Sequence, residues 1–251
     1  MVPPPPNDCV PGQNACVFYG PDQAHIHDVR FGDLARDAAD LVLDALPGPG
    51  TVVDLGCGSG IFARALTDAG SSVVGVDLSP AMVSLARAAV PEGRFSVGSV
   101  HDFELPSAVA VVALGEVLNY ATDQRAGLDA LGALAGRVYD ALEPGGVIAF
   151  DVSTPGRGGP DGTRDRFHDA DDWSLGMHSI EHDGILEREI TIFVREGDTY
   201  RRVDEHHVLR LYPEAEVVAA LEDAGFQVKV RGGYAAPAEF PGWRVFVAVR
   251  R

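Results

Sequence analysis

The sequence predicts an α/β fold: a doubly wound, mostly parallel sheet with helices on both faces. Three observations predict it. From Thr51 onward, short strand patterns alternate with helix patterns. The strands are apolar throughout rather than at every second residue. The first of them runs straight into a cluster of glycines. Strands with no polar side have no solvent face, so helices must cover both faces of the sheet. The chain has 251 residues, enough for one large domain with a substantial core.

Residues 1–22 hold a proline cluster, Pro3 to Pro6, followed by Pro11 and Pro21, and read as an extended arm. Leu34, Ala38, Leu41, Val42 and Ala45 follow at helical spacing, until Pro47-Gly48-Pro49-Gly50 stops the pattern. Val52 to Leu55 is the first strand, and Ile61 to Ala69 is a helix closed by Gly70. Ser72 to Val76 is the second strand. Ser79-Pro80 then supplies an N-cap and a first-turn proline for a helix whose apolar face is Met82, Leu85, Ala86 and Ala89. Arg94 to Val97 and Val109 to Leu114 are strands three and four. Leu128, Leu131, Leu134, Val138 and Leu142 form one helical stripe, ended by Gly145-Gly146, and Val147 to Val152 is strand five. Residues 155–183 are polar and Gly-rich, with Asp161 to Asp172 expected as a mobile, solvated loop. Ile185 to Val194 and Tyr200 to Leu211 form a hairpin around Gly197-Asp198. A helix over Glu214 to Ala224 and strands at Phe226 to Val230 and Val245 to Val249 complete the chain.

The formal net charge is −17, from 37 acidic and 20 basic residues. Such a surface repels phosphate backbones and anionic lipid, so neither nucleic acid nor a membrane is expected as partner. Met1 to Pro6 has no basic start and no apolar stretch after it, so no secretory signal is expected. Cys9, Cys16 and Cys57 form no CxxC pair and no disulfide framework, which favours a reducing cytoplasm.

The glycine cluster reads Val53-Asp54-Leu55-Gly56-Cys57-Gly58-Ser59-Gly60. A dinucleotide fingerprint, G-x-G-x-x-G, fails here because its last position falls on Ile61. The Asp54 carboxylate would also repel a pyrophosphate but suits a cation. S-adenosylmethionine has no phosphate and carries an ammonium and a sulfonium. The pattern resembles the class I S-adenosylmethionine-dependent methyltransferases, small-molecule type, whose acidic-x-G-x-G-x-G motif is matched by Asp54, Gly56, Gly58 and Gly60.

The resemblance covers residues 51–153 and, less closely, 214–250. It implies a seven-stranded sheet with an antiparallel closing strand. The implied organisation is an N-terminal arm and lid helix over 1–50 and a cofactor half over 51–154. An inserted β-hairpin cap for the acceptor follows over 155–212, and the end of the core over 213–251. Asp77, ending the second strand, is the implied ribose contact. In Gly98-Ser99-Val100-His101-Asp102 the family usually has Asp after the glycine. Ser99 stands there instead, leaving the Val100 N–H or Asp102 to meet the adenine. The implied cofactor set is Asp54, Gly56, Cys57, Gly58, Gly60, Asp77, Leu78, Met82, Ser99, Val100 and Leu114, with Cys57 a small buried filler.

After strand four the chain reads Gly115-Glu116-Val117-Leu118-Asn119-Tyr120. It lacks the Asn/Asp-Pro-Pro-aromatic and Pro-Cys motifs of base-methylating enzymes, which favours a small-molecule acceptor. Glu116 is the expected catalytic residue, a base whose pKa burial would raise; the competing reading is an acid at a helix start. His207, His206 and Tyr19 are the substitutes. The two adjacent histidines lie on one strand and must face opposite ways. The pairs His25/His27 and His178/His182 have metal-compatible spacing but no supporting context, so no metal is expected. The alternatives in function are a noncatalytic S-adenosylmethionine-binding protein and a nicotinamide-dependent oxidoreductase.

Overall fold

The computed structural model describes residues 37–234 and 241–251. A helix over 37–45, α1, precedes β1 (Thr51–Leu55), α2 (Ile61–Asp68), β2 (Ser72–Asp77), α3 (Pro80–Ala89), β3 (Arg94–Val97) and β4 (Ala108–Ala113). Then come α4 (Leu128–Ala141), β5 (Leu142–Ser153), β6 (Thr163–Asp169), β7 (Trp173–His182), β8 (Ile185–Glu196) and β9 (Thr199–Arg210). The last elements are α5 (Glu214–Asp223), β10 (Phe226–Arg231) and β11 (Trp243–Arg250).

Seven strands form one sheet in the order β10-β11-β5-β4-β1-β2-β3. The pairs among β1 to β5 are parallel, and β11 runs antiparallel to both β5 and β10. Alternation sends neighbouring residues to opposite cores. Val52, Ala110, Val112 and Ala149 pack with Ala38, Val42, Phe62, Leu66 and Ala86 of α1 to α3. Val53, Val111, Ile148 and Phe150 pack with Leu131, Leu134, Val138, Val217 and Leu221 of α4 and α5. The Ser79 hydroxyl caps α3 by accepting the Met82 N–H.

Two local expectations change. The helix stops before Gly145-Gly146: Leu142 caps α4, its N–H donating to the Val138 carbonyl, and already opens β5, where it pairs with Ala108, and a register shift before Ala110 absorbs the two glycines. Residues 161–172 are not simply a loop. They contain β6: the expected hairpin stands as β8-β9, and β7 and β6 extend it to a four-stranded antiparallel sheet, β6-β7-β8-β9. The β6 sequence, Thr-Arg-Asp-Arg-Phe-His-Asp, alternates one polar residue with another. Its large apolar residue, Phe167, is exposed, so apolar periodicity had nothing to register.

The end of β5 carries Asp151, fully buried, which accepts four hydrogen bonds. The donors are the N–H groups of Gly115 (2.7 Å) and Glu116 (2.6 Å), the Tyr234 hydroxyl (2.5 Å) and Trp243 Nε1 (3.0 Å). One carboxylate thereby fixes the turn after β4, the segment after β10 and the start of β11. Asp151→Asn turns an acceptor-only group into one that also donates, leaving about two of these donors unmatched. The expected cost is about 2–6 kcal/mol, read from denaturant unfolding; a variant as stable as the parent would contradict this role.

Candidate active site

The strand order reverses between β1 and β4, and open α/β sheets leave a crevice for ligands at that point. The glycine loop sits there. Its Gly56 and Cys57 N–H groups both donate to the Val76 carbonyl, at 2.7 and 3.0 Å, which ties the loop to β2. Gly56 has φ 76°, and a Cβ on it would lie 2.4 Å from Val117 Cγ2. Gly60 caps α2 at φ 88°, where a Cβ would meet the Ala86 backbone at 2.9 Å. Both positions therefore require glycine.

The crevice holds about 660 Å³ of unfilled space, including its open mouth. Of the residues picked out from the sequence, Gly56, Gly58, Asp77, Leu78, Met82, Val100 and Leu114 line it. Asp54, Cys57 and Gly60 are not among its lining residues. Cys57 is buried, and burial followed by the charges of Asp54 and Asp77 pushes its thiol pKa far up, as suits a packing residue. The Asp77 carboxylate accepts the N–H groups of Gly58 (2.9 Å) and Ser79 (2.8 Å). Its remaining lone pairs leave it able to accept from ribose hydroxyls.

Asp54 is fully buried and its Oδ2 has no hydrogen-bond partner. Burial, reinforced by the Asp77 charge, pushes its pKa to about 7. A buried carboxylate oxygen with no donor suits a cationic ligand and fits poorly with a pyrophosphate.

The adenine segment departs from expectation in a definite way. Asp102 lies on the surface, paired with Arg125 at 2.7 Å, away from the crevice. The Ser99 hydroxyl donates to Asp123 Oδ2, and Asp123, with His101, lines the crevice beside Val100. A carboxylate thus stands beside Ser99 from 24 residues further on. No local pattern announces Asp123.

Glu116 has the left-handed φ of 61°, uncommon for a residue with a side chain, and its N–H is held by Asp151. Its carboxylate accepts from Ser153 Oγ (2.5 Å), Arg157 Nε (2.7 Å) and Arg188 Nη1 (2.7 Å). Burial alone would raise its pKa. The charges of Arg188 and then Arg157 outweigh burial and hold it far below the usual carboxylate range. This reverses the direction expected from the sequence. Glu116 does not cap the following 3₁₀ turn with its side chain either. Neither the two arginines nor Ser153 could be paired with it from sequence spacing.

His207 is 2% exposed, with Nε2 2.9 Å from Glu205 Oε2, itself buried. Its ring meets Tyr120 edge-on at 5.5 Å, and Tyr120 lines the crevice. Glu205 lies two residues before His207, hence on the same strand face, a relation legible in the sequence. His206 faces outward and pairs with Glu187. Tyr19, with His25 and His27, lies outside the described residues. Among the described residues, no group of three His, Cys, Asp or Glu side chains is arranged to hold a metal ion, and no helix is long and apolar enough to cross a membrane.

A family model described as a methyltransferase domain matches residues 27–229. The chain belongs to this methyltransferase family. A dTDP-3-amino-3,4,6-trideoxy-alpha-D-glucopyranose N,N-dimethyltransferase from Streptomyces venezuelae is 26% identical, covering 90% of this chain and 99% of the relative. A dTDP-4-amino-2,3,4,6-tetradeoxy-D-glucose N,N-dimethyltransferase from Saccharopolyspora spinosa is 29% identical, covering 92% and 94%. The fold is shared with an amino pentose methyltransferase from Micromonospora echinaspora, solved with S-adenosylmethionine bound. That structure is 22% identical with a TM-score of 0.74, covering 95% of this chain and all of the other. The methyltransferase therefore uses S-adenosylmethionine and methylates a small-molecule acceptor. The nicotinamide alternative falls with this assignment, and so does the noncatalytic one.

Two outcomes follow from the carboxylates of the crevice. Asp54 binds its proton more tightly when folded, with a pKa of about 7 against 3.8. Its contribution to stability is complete below about pH 4 and is lost as the pH rises through 7. At 1.36 kcal/mol per unit, Asp54→Asn should leave stability near the parent's at pH 4 and raise it by up to about 4 kcal/mol at pH 8. Urea unfolding of the protein without cofactor at both pH values checks this. Asp77→Ala should weaken S-adenosylhomocysteine binding by about 1.5–3 kcal/mol without loss of fold. Calorimetry showing parental affinity would reduce Asp77 to a loop-holding residue.

Proposed function

We propose that the acceptor is an amino sugar carried on a nucleoside diphosphate, methylated at its nitrogen. Both relatives that match nearly the whole chain are named for that chemistry. The observation that carries the reading is the buried His207–Glu205 pair set against Tyr120 at the crevice. When bound, S-adenosylmethionine supplies an electrophilic methyl group on a sulfonium that leaves readily. The chain's part is to exclude water, hold the acceptor nitrogen in line and take the proton that nitrogen sheds. His207 takes that proton, and Glu205 stabilises the charged ring it becomes. Glu116, engaged by two guanidiniums, is a positioning residue that sets the turn after β4 against the cap. On the cofactor side, Asp54 faces the cationic end, Asp77 accepts from the ribose, and Asp123 accepts from the adenine amino group within an apolar slot of Leu78, Met82, Val100 and Leu114.

The test is methyl transfer from labelled S-adenosylmethionine to dTDP-linked amino sugars, with mono- and dimethylated products read by mass. His207→Gln should lower kcat by roughly 10²–10⁴-fold while S-adenosylhomocysteine affinity stays within twofold. Glu116→Gln should instead cost about 3–5 kcal/mol of stability, because it strips the counter-charge from two buried guanidiniums. Near-parental turnover of His207→Gln would remove the histidine from the reaction.

A further inference from the structure

The cap sheet turns one face toward the crevice, where Arg188 reaches Glu116 and His207 meets Tyr120. Along β8 the alternation is regular: Leu186, Arg188, Ile190 and Ile192 are buried on that inner side, and Glu187, Glu189, Thr191 and Phe193 stand on the other. Among the described residues seven large apolar side chains are exposed. Four of them, Phe167, Ile180, Phe193 and Tyr200, share this outer face of the cap. Phe167 is 68% exposed. Exposed apolar groups gathered on one side of one sheet mark an interaction surface, whereas single ones scattered over a protein do not.

The relief of this face is uneven. Between Phe167 on β6 and Phe193 on β8, the intervening strand contributes only Ser174 and Gly176. Gly176 lies level with Phe167 and Thr191, and Ser174 lies level with Phe193. A Cβ built on Gly176 would meet nothing within 4 Å. Strand β7 therefore forms a trough and β8 a ridge beside it. A glycine inside a strand weakens that strand, and it is commonly kept where another chain comes close.

The rows across the four strands are arranged to meet a copy of themselves. One row reads Asp165, His178, Glu189, His206, and another reads Asp169, Ser174, Phe193, Arg202. A two-fold axis between two such faces, parallel to the strands and over the β7–β8 boundary, exchanges β6 with β9 and β7 with β8. Each row stays level. Asp165 then lies opposite the partner's His206, His178 opposite the partner's Glu189, and Asp169 opposite the partner's Arg202. Phe193 enters the partner's trough at Ser174 and Gly176. Among the described residues, no hydrogen bond or ion pair engages the Glu189 or Asp169 carboxylate. Ile180 and Phe167 fall opposite the partner's Glu187 and Asp204, acids already bonded within their own subunit. We infer that this outer face is the interface of a symmetric dimer, two cap sheets packed face to face. Four strands about 4.8 Å apart and about ten residues long give a face of about 19 by 34 Å. That plan area, about 650 Å², comes close to the roughly 800 Å² per partner of a stable interface, before side-chain relief is added. Stacked sheets cross at about 30°, so the closest matches are those beside the axis, His178 with Glu189 and Phe193 with the trough.

Sedimentation equilibrium of the full chain reads its mass against the 26.6 kDa of one copy. The parent should be a dimer. Phe193→Asp should weaken the dimer about a hundredfold, because a symmetric contact suffers each substitution twice. Gly176→Val has room within one subunit, yet it fills the trough, and should weaken the dimer at least about tenfold. Unchanged S-adenosylhomocysteine affinity in both variants is the control for folding. A charge exchange reads the pairing itself. Asp169→Arg alone and Arg202→Asp alone each set like charges opposite one another. Each should weaken the dimer roughly tenfold, and the two together should restore it. A monomeric parent overturns the inference, and so does a dimer indifferent to Phe193→Asp and Gly176→Val. A double reversal no tighter than either single one overturns the two-fold pairing.

Discussion

A buried carboxylate needs hydrogen-bond donors, and the Asp151 carboxylate gathers four from three stretches of chain. Satisfying it fixes where the turn after β4 lies and therefore where one wall of the crevice stands. Glu116, whose N–H Asp151 holds, is buried as well, yet the two acids are driven in opposite directions. Asp151 is met by neutral donors, and desolvation raises its pKa with help from the Glu116 charge. Glu116 is met by two guanidiniums, whose charges overturn the same desolvation. What a buried acid becomes is thus decided by the formal charge of its partners rather than by depth. A base is better sought where the partner is a single carboxylate on an imidazole, the arrangement at His207.

The legible parts of the fold and the site are those whose physics is local. The glycine loop follows from backbone conformations only glycine tolerates, and its end meets Asp77 one strand away. The α3 cap at Ser79-Pro80 needed only adjacent residues. The opposite facing of His206 and His207 follows from strand periodicity alone. The parts that stayed hidden are joined over long separations. Asp123 meets Ser99 across 24 residues, and Arg188 reaches Glu116 across 72. Strand β6 was missed for a different reason. On this edge strand one side carries Arg164, Arg166 and His168 and the other carries Asp165 and Asp169 around a single exposed Phe167, so neither side repeats an apolar residue.

Asn119, at the foot of the cap, bridges three segments. Its side-chain amide donates to the Ser153 and Arg210 carbonyls and accepts the Ser153 N–H, while the adjacent Tyr120 bridges to Leu209. Together with the Glu116–Arg188 contact, these bonds root the inserted sheet in residues 115–120, shortly after β4. An inserted segment would ordinarily look like an exchangeable module, open to swapping between enzymes to change what they accept. Here a chimera that received another enzyme's cap would inherit a root cut for a different socket. A transplant would have to carry residues 115–120 along with the cap, so the smallest portable unit of acceptor choice includes part of the cofactor wall.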